Sequence, residues 1–284
     1  MTWASLGDAD FDDLVVLAED CLGADGGLPI AAEPGFLRRR WAVDGTASRA
    51  ARDGRGRLLA AAAVRPGPAV TVLVDPEHRP RGYAAELLDW GLREAARRDG
   101  TVTVETESLT AAQAELFGSR GLRQVFAEDV MRIDLTQPVP EPVWPAGTTR
   151  LDWTAELAPR FFAVYQAAFA ERPGFPGVSA ETWISDVTGD EEFRPEWSVL
   201  VQVPEAGDAG FVIGAVGWIF QVGVVPAARG SGLGTALISE SLTRMVAGGA
   251  VEAWLDVNVD NTAIELYRRL GFRVEGRRAR YQPV

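Results

Sequence analysis

Apolar residues along the chain follow two spacings, and the spacings alternate in the same order in both halves. In the second half, Arg160-Phe-Phe-Ala-Val-Tyr-Gln-Ala-Ala-Phe169 and Glu181-Thr-Trp-Ile-Ser-Asp-Val187 place apolar side chains three or four positions apart, the period of a helix with one buried face. Runs at 197–203, 211–216 and 218–224, rich in Val, Ile, Phe and Trp and broken by glycine, read as strands. A glycine-rich turn opens an amphipathic helix over about 232–246. A strand at 251–257, a helix at 261–270 closed by Gly271 in the left-handed conformation, and strand candidates at 272–275 and 279–281 follow. In the first half the pattern predicts helices at 11–22 and 35–42 and strands near 48–52, 57–64 and 69–74. A helix at 82–98, a strand at 101–106 and a helix at 111–119 come next. Helices alternating with strands predict an α/β fold with a mixed sheet in each half.

The halves are separated by Leu135-Thr-Gln-Pro-Val-Pro-Glu-Pro-Val-Trp-Pro-Ala-Gly-Thr148, where prolines 138, 140, 142 and 145 favour extended, semi-rigid chain. Sliding the sequence by 150 residues superposes Val72, Val74, Pro76, Arg79, Gly82, Leu87 and Leu92 on Val222, Val224, Pro226, Arg229, Gly232, Leu237 and Leu242. Glu115, Leu116, Gly121 and Arg123 meet Glu265, Leu266, Gly271 and Arg273 without a gap. Matches at one offset over so long a stretch indicate two copies of one domain. The expected division is 1–134, a proline-rich linker at 135–149, and 150–284.

Composition removes several classes of function. The 284 residues carry 28 basic and 40 acidic side chains, a net charge of −12, which opposes wrapping of nucleic acid. No apolar run is long enough to cross a membrane, and the first residues lack the pattern of a signal peptide, so a cytoplasmic location without membrane attachment is expected. A single cysteine (Cys21) and a single histidine (His78) exclude an internal disulfide and a histidine-rich metal site, and no metal is expected. Every base is arginine, so chemistry on a lysine amine is absent. Cys21 lies on an apolar helix face and reads as core; His78 reads as a turn residue.

The sharpest local signal is Val222-Gly-Val-Val-Pro-Ala-Ala-Arg229-Gly-Ser-Gly232-Leu-Gly234-Thr235. A strand enters a turn of small residues and a helix leaves it, so the first helical amides, without internal partners, form an anion site suited to a pyrophosphate. A dinucleotide-binding loop has a similar look, but that loop opens its domain, whereas this one follows several strands. Some thirty residues on comes Leu255-Asp-Val-Asn-Val-Asp-Asn261-Thr-Ala-Ile-Glu-Leu-Tyr267-Arg-Arg-Leu-Gly271-Phe272.

With both motifs in this order, the chain resembles the GNAT superfamily of acetyl-CoA-dependent N-acetyltransferases, strongly over 196–284 and more weakly over 57–134. The tandem arrangement, and the segment Phe161–Phe169, is similar to the mycothiol synthase-like group. The resemblance implies two tandem GNAT folds and acetyl-CoA as co-substrate. It implies donor contacts from Val222, Val224, Arg229, Gly230, Ser231, Gly232, Leu233, Gly234 and Thr235, with the thioester in a gap between strands 218–225 and 251–257. Asn261 serves the pantetheine arm, caps the helix that follows, or does both. Tyr267 stands where the family often has its general acid. The carboxylate that family members often carry on the fourth strand is missing, since Trp218, Phe220 and Gln221 occupy that strand. Asp256 and Glu192 are the substitutes for a general base.

The first copy retains Arg79, Gly82 and Ala84 of the donor motif, but Pro80 replaces Gly230, Phe117 replaces Tyr267 and Ala111 replaces Asn261. This half is expected to be non-catalytic, binding the donor weakly or walling the cleft. The stretch Glu181–Asp208 holds eight carboxylates and one arginine, a field suited to a cationic amine or simply a solvated face. Six arginines among the last seventeen residues either approach the donor's phosphates or guard a sheet edge. The expected activity is acetyl transfer to the primary amine of a small molecule such as an aminosugar, an antibiotic or a mycothiol precursor, by a monomer or homodimer. A peptide N-terminus as acceptor, and a non-catalytic acyl-CoA-binding module, are the alternatives.

Overall fold

The structure is a computed structural model that describes residues 3–172, 175 and 177–284. In chain order the first half comprises β1 (Trp3–Ala4), α1 (Phe11–Asp25), α2 (Pro34–Trp41), β2 (Ala47–Arg52), β3 (Leu58–Arg65), β4 (Ala69–Val74), α3 (Tyr83–Ala95), β5 (Thr103–Thr106), α4 (Ala111–Gly118) and β6 (Leu122–Asp134). Residues 135–148 hold no regular element. The second half comprises β7 (Thr149–Asp152), α5 (Ala158–Phe169), α6 (Ala180–Thr188), β8 (Val199–Val203), β9 (Gly207–Ala215), β10 (Trp218–Val224), α7 (Leu233–Ala247), β11 (Glu252–Asn258), α8 (Ile264–Leu270) and β12 (Arg273–Pro283).

Two compact units result, and neither is continuous in sequence. One holds residues 1–130 with 256–261 and 274–284; the other holds 131–255 and 262–273. The first unit's strands run in the order β1-β2-β3-β4-β5-β12-β6, and the second's in the order β11-β10-β9-β8-β7. In both, a parallel pair (β4 with β5, β10 with β11) joins an antiparallel meander, giving the mixed sheet.

In the first unit, β3 reads Leu-Leu-Ala-Ala-Ala-Ala-Val-Arg and is buried on both faces. Ala61 and Ala63 pack with Leu14, Leu17 and Cys21 of α1, whereas Ala60 and Ala62 pack with Leu87 of α3. Strand alternation sends successive side chains to opposite faces, and alanine lets both helices approach closely. The second unit's core is aromatic: Trp153, Phe161, Tyr165, Trp183 and Phe211 interlock between α5, α6 and β9.

The strand candidates at 272–275 and 279–281 are one strand, β12, and its partner is β5 of the first unit: Ala279 lies opposite Thr106, Arg280 opposite Glu105 and Tyr281 opposite Val104. The entry of β12 depends on glycine. A Cβ on Gly276 would stand 2.1 Å from the backbone nitrogen of Gly27, and one on Gly26 would stand 1.7 Å from the carbonyl oxygen of Glu275. The terminal arginines are consumed here. Arg277 bonds Asp129 (2.7 Å), Arg278 bonds Glu128 (2.6 Å), and Arg280 bonds Glu107 (2.6 Å). These three do not guard a sheet edge, because β12 lies between β5 and β6; they pair with carboxylates of the same unit.

Candidate active site

In the second unit β10 and β11 run parallel and are registered at one position, Trp218 opposite Trp254, where the two rings stack at 6.2 Å. Within the second unit this is the one registered pair of the two strands among the described residues. Alternate residues of a strand direct their peptide groups to opposite sides, so between Phe220 and Val224 part of the backbone of β10 faces away from β9. The opposite edge of β10 stays paired with β9, Val222 against Val212 and Val224 against Gly210.

Past Val224 the chain makes a short 3₁₀ turn, Pro226–Ala228, and reaches the glycines. Gly230 (φ 76°) and Gly232 (φ 91°) take left-handed backbone that an L side chain resists, and a Cβ on either would meet nothing within 4 Å. The space over the turn is therefore open. Helix α7 begins at Leu233, so the amides of Leu233, Gly234 and Thr235 lack intrahelical acceptors. Among the described residues no backbone bond engages the amides of Gly230, Ser231 or Gly232 either. The Ser231 hydroxyl turns inward and donates to the Ala228 carbonyl at 2.7 Å. What remains is a ring of donors at the positive end of a fifteen-residue helix.

Arg229 is held at the side of this turn. Its Nε donates to the Val224 carbonyl (3.3 Å), Nη2 to the Ala168 carbonyl near the end of α5 (3.0 Å), and Nη1 to Glu171 (2.9 Å). The first unit repeats the device one repeat length earlier: Arg79 Nε donates to the Val74 carbonyl (3.4 Å) and its other nitrogens grip Asp25 at the end of α1 (2.6 and 2.7 Å). Both arginines tie the strand-to-helix turn to the first long helix of their unit.

Helix α8 lies beside the first turn of α7, where a Cβ on Gly234 would come within 3.4 Å of Leu266. Tyr267 follows on α8. It is buried, edge-on to Phe272, with no described hydrogen bond to its hydroxyl. Burial pushes that hydroxyl up to about 12, against a smaller downward pull from Arg172. The site also has a contact that sequence reasoning missed: Trp183 of α6 donates its indole N–H to Gln221 of β10 at 3.0 Å. A tryptophan on a helix opposite a glutamine on an apolar strand was the available signal. The acidic stretch is partly neutralised, since Asp208 is held by Arg160 at 2.6 and 2.9 Å and lies below the usual carboxylate range because of that pairing. Glu192 is exposed, with its carbonyl accepting from Val216.

Asp256 and Asn261 fall in the first unit. The Asn261 amide donates to the Asn258 carbonyl at 2.9 Å. Asp256 faces Arg278 at 3.4 Å, and its Oδ1 is buried without a hydrogen-bond partner. Burial pushes its carboxyl up to about 6; Arg278 opposes the rise, and the charges of Glu128 and Glu107 add to it. The first unit's own turn carries Gly82 (φ 81°) at the start of α3 behind a 3₁₀ turn that contains Pro80. His78 sits in that turn, 3.2 Å from Asp75, and Cys21 is core. Ala111 opens α4 behind a capping box of Thr110 and Gln113, and Phe117 is buried edge-on against Tyr281 at 4.9 Å. No described helix is long and apolar enough to cross a membrane.

The Acetyltransferase (GNAT) family model matches residues 199–272, the stretch from β8 through α8. A mycothiol acetyltransferase of Clavibacter sepedonicus is 32% identical over 224 residues, spanning 76% of this chain and 73% of the relative. Among solved structures, a GCN5-related N-acetyltransferase from Sphaerobacter thermophilus covers 99% of this chain and 94% of its own, with a TM-score of 0.78 at 26% identity. A tandem GNAT protein from the clavulanic acid biosynthesis pathway shares the fold, covering 99% of this chain and 97% of its own, with a TM-score of 0.63 at 19% identity. Two GNAT folds in tandem account for the repeat and for the pair of glycine turns. The chain belongs to the GNAT acetyltransferase family and is an acyltransferase.

Proposed function

We propose that the second unit transfers the acetyl group of acetyl-CoA to the primary amine of a small molecule, with Tyr267 in the general-acid position as hydrogen-bond donor to the leaving sulfur. The observation that carries this reading is the open glycine turn, whose free amides at 230–235 stand at the head of α7. The amides receive the donor's diphosphate. Peptide groups of Val222 and Val224 guide the arm, and an N–H in the gap polarises the thioester carbonyl as negative charge develops on its oxygen.

The acceptor must attack as a neutral amine. An alkylammonium of pKa about 10.4 costs about 4–5 kcal/mol to deprotonate at pH 7. A carboxylate-ordered water is the proposed base. As the C–N bond forms the C–S bond breaks, and the sulfur leaves with the bonding pair. Full transfer of a proton from a phenol near 12 to a thiolate of pKa about 8.5 is uphill by about 5 kcal/mol. Tyr267 therefore stabilises the leaving sulfur by a hydrogen bond, and the thiol's proton comes in the end from the acceptor ammonium. The first unit, with Phe117 at the equivalent position, performs no transfer. The name carried by the Clavibacter relative supports an acceptor of the mycothiol-precursor kind within a panel of aminosugars and aminoglycosides. The test is thiol release across that panel, with a peptide N-terminus as comparison. Turnover of a small amine supports the reading, and turnover confined to the peptide refutes it.

A further inference from the structure

Gln221 is a polar side chain on the otherwise apolar strand β10, and the proposed transfer steps do not use it. Its place is set by a β-bulge between Ile219 and Gln221, which leaves Phe220 without an opposite residue on β9. Gln221 then lies opposite Ile213, a member of the aromatic core between α5, α6 and β9, and Phe220 packs on that same core. Val222 lies opposite Val212, and strand alternation sends both to the other face. Bulges re-aim side chains and recur beside active sites, and this one delivers two consecutive side chains to one face of the sheet.

The amide of Gln221 has a fixed orientation. Trp183 of α6 is buried and stacks on Tyr165 at 5.2 Å, so its indole is held in place. An indole N–H only donates, so the Gln221 atom 3.0 Å from it is the carbonyl oxygen Oε1. The Nε2 end, with two N–H groups, then points away from Trp183. Among the described residues no group accepts from Nε2, and it is not a buried atom without a partner, so it is open to a ligand. Val222, the next residue, supplies a peptide group to the proposed path of the donor arm, and the Nε2 donors stand beside that path.

We infer that Gln221 selects the acceptor: Nε2 donates to an oxygen, carbonyl or hydroxyl, that the acceptor carries beside its amine. Trp183 is the positioning residue that keeps the donor end of the amide turned toward it. The inference rests on the proposed transfer reading for the arrival of the acceptor at β10, but it does not depend on Tyr267. An amine without the oxygen displaces water from Nε2 and returns no hydrogen bond, and a site built to hydrogen-bond rejects the analogue that lacks the partner.

The test is calorimetric titration of the full chain, saturated with CoA so that no transfer occurs, at one pH. L-Alaninamide and L-alaninol carry the oxygen as carbonyl and as hydroxyl. The third probe, 3-methylbutan-2-amine, has the shape of alaninamide with methyl groups in place of its amide oxygen and nitrogen. The parent chain should bind at least one oxygen-bearing amine about tenfold tighter than the hydrocarbon amine. Gln221→Leu should bring that ratio close to one. Gln221→Glu, which keeps an oxygen for Trp183 and removes the donor, should do the same. Trp183→Phe keeps a ring in the core without the N–H and should reduce the ratio. The probes differ in basicity, but that difference is common to every chain and cancels when ratios are compared. Tyr267→Phe should leave the ratio unchanged, so a chain that selects the oxygen yet releases no thiol contradicts the transfer reading and not this inference. A ratio near one in the parent chain, no saturable binding of either oxygen-bearing amine, or a ratio retained in Gln221→Leu would each overturn it. The comparison of probes on the unaltered chain holds even where a variant fails to fold.

Discussion

At the scale of single residues, Tyr267 and Asp256 stand far from their ordinary values, and each shift has a consequence. Tyr267, near 12, is fully protonated throughout the working range, so its removal is a loss of hydrogen-bond donation with no change in charge. Tyr267→Phe should lower kcat by about 10²–10³ while leaving the KM for acetyl-CoA unchanged, the pattern of an interaction made only in the transition state. An unchanged kcat would remove Tyr267 from the mechanism. Asp256 titrates near 6 when folded against 3.8 as the reference, so the folded chain binds that proton more tightly than the unfolded chain. Its contribution to stability is complete below 3.8 and is lost as pH rises through 6, a change of about 3 kcal/mol. Asp256→Asn lacks this dependence, so denaturant midpoints should show the variant gaining on the parent chain between pH 4 and pH 8.

At the scale of elements, glycines decide where backbones cross. Gly276→Ala forces a Cβ to within 2.6 Å of two Gly27 backbone atoms and should cost about 1–3 kcal/mol, read from chemical denaturation. Gly217, at φ 67° with open space around it, is the control: alanine there meets only backbone strain and should cost about 1 kcal/mol. Periodicity and glycine placement made most elements legible, and 218–224 is a strand with the expected bounds. What they leave out has a physical cause. Strand spacing reports which face is buried and says nothing of which strand lies alongside. Hence β6, thirteen residues long, was missed, and β12 was divided at Gly276. The partners of Arg277, Arg278 and Arg280 lie 148, 150 and 173 residues away in sequence, beyond any local pattern. The turn motif was legible as an anion site because its signal, glycine at left-handed positions before a helix, is local. The direction of the Arg229 side chain depends on where α5 ends and was not.

At the scale of the molecule, the compact units are not the sequence halves. The last eleven residues complete the sheet of the first unit, whose other strands all begin before residue 131. A chain ending at Arg273 should therefore lose the folded first unit, seen as a lower Tm and as collapse of the dispersed amide signals of β2 to β5. Retention of those signals would contradict the strand assignment. The two copies differ at matching positions: one carries Tyr267, and the other carries Phe117 there. The most direct test of the central claim is the amide spectrum of the full chain as acetyl-CoA is added. Binding of the donor's diphosphate at the head of α7 predicts saturable shifts at Gly230 through Thr235. Shifts confined to the Arg79–Ala84 turn, or none at 230–235 under saturating donor, would contradict it.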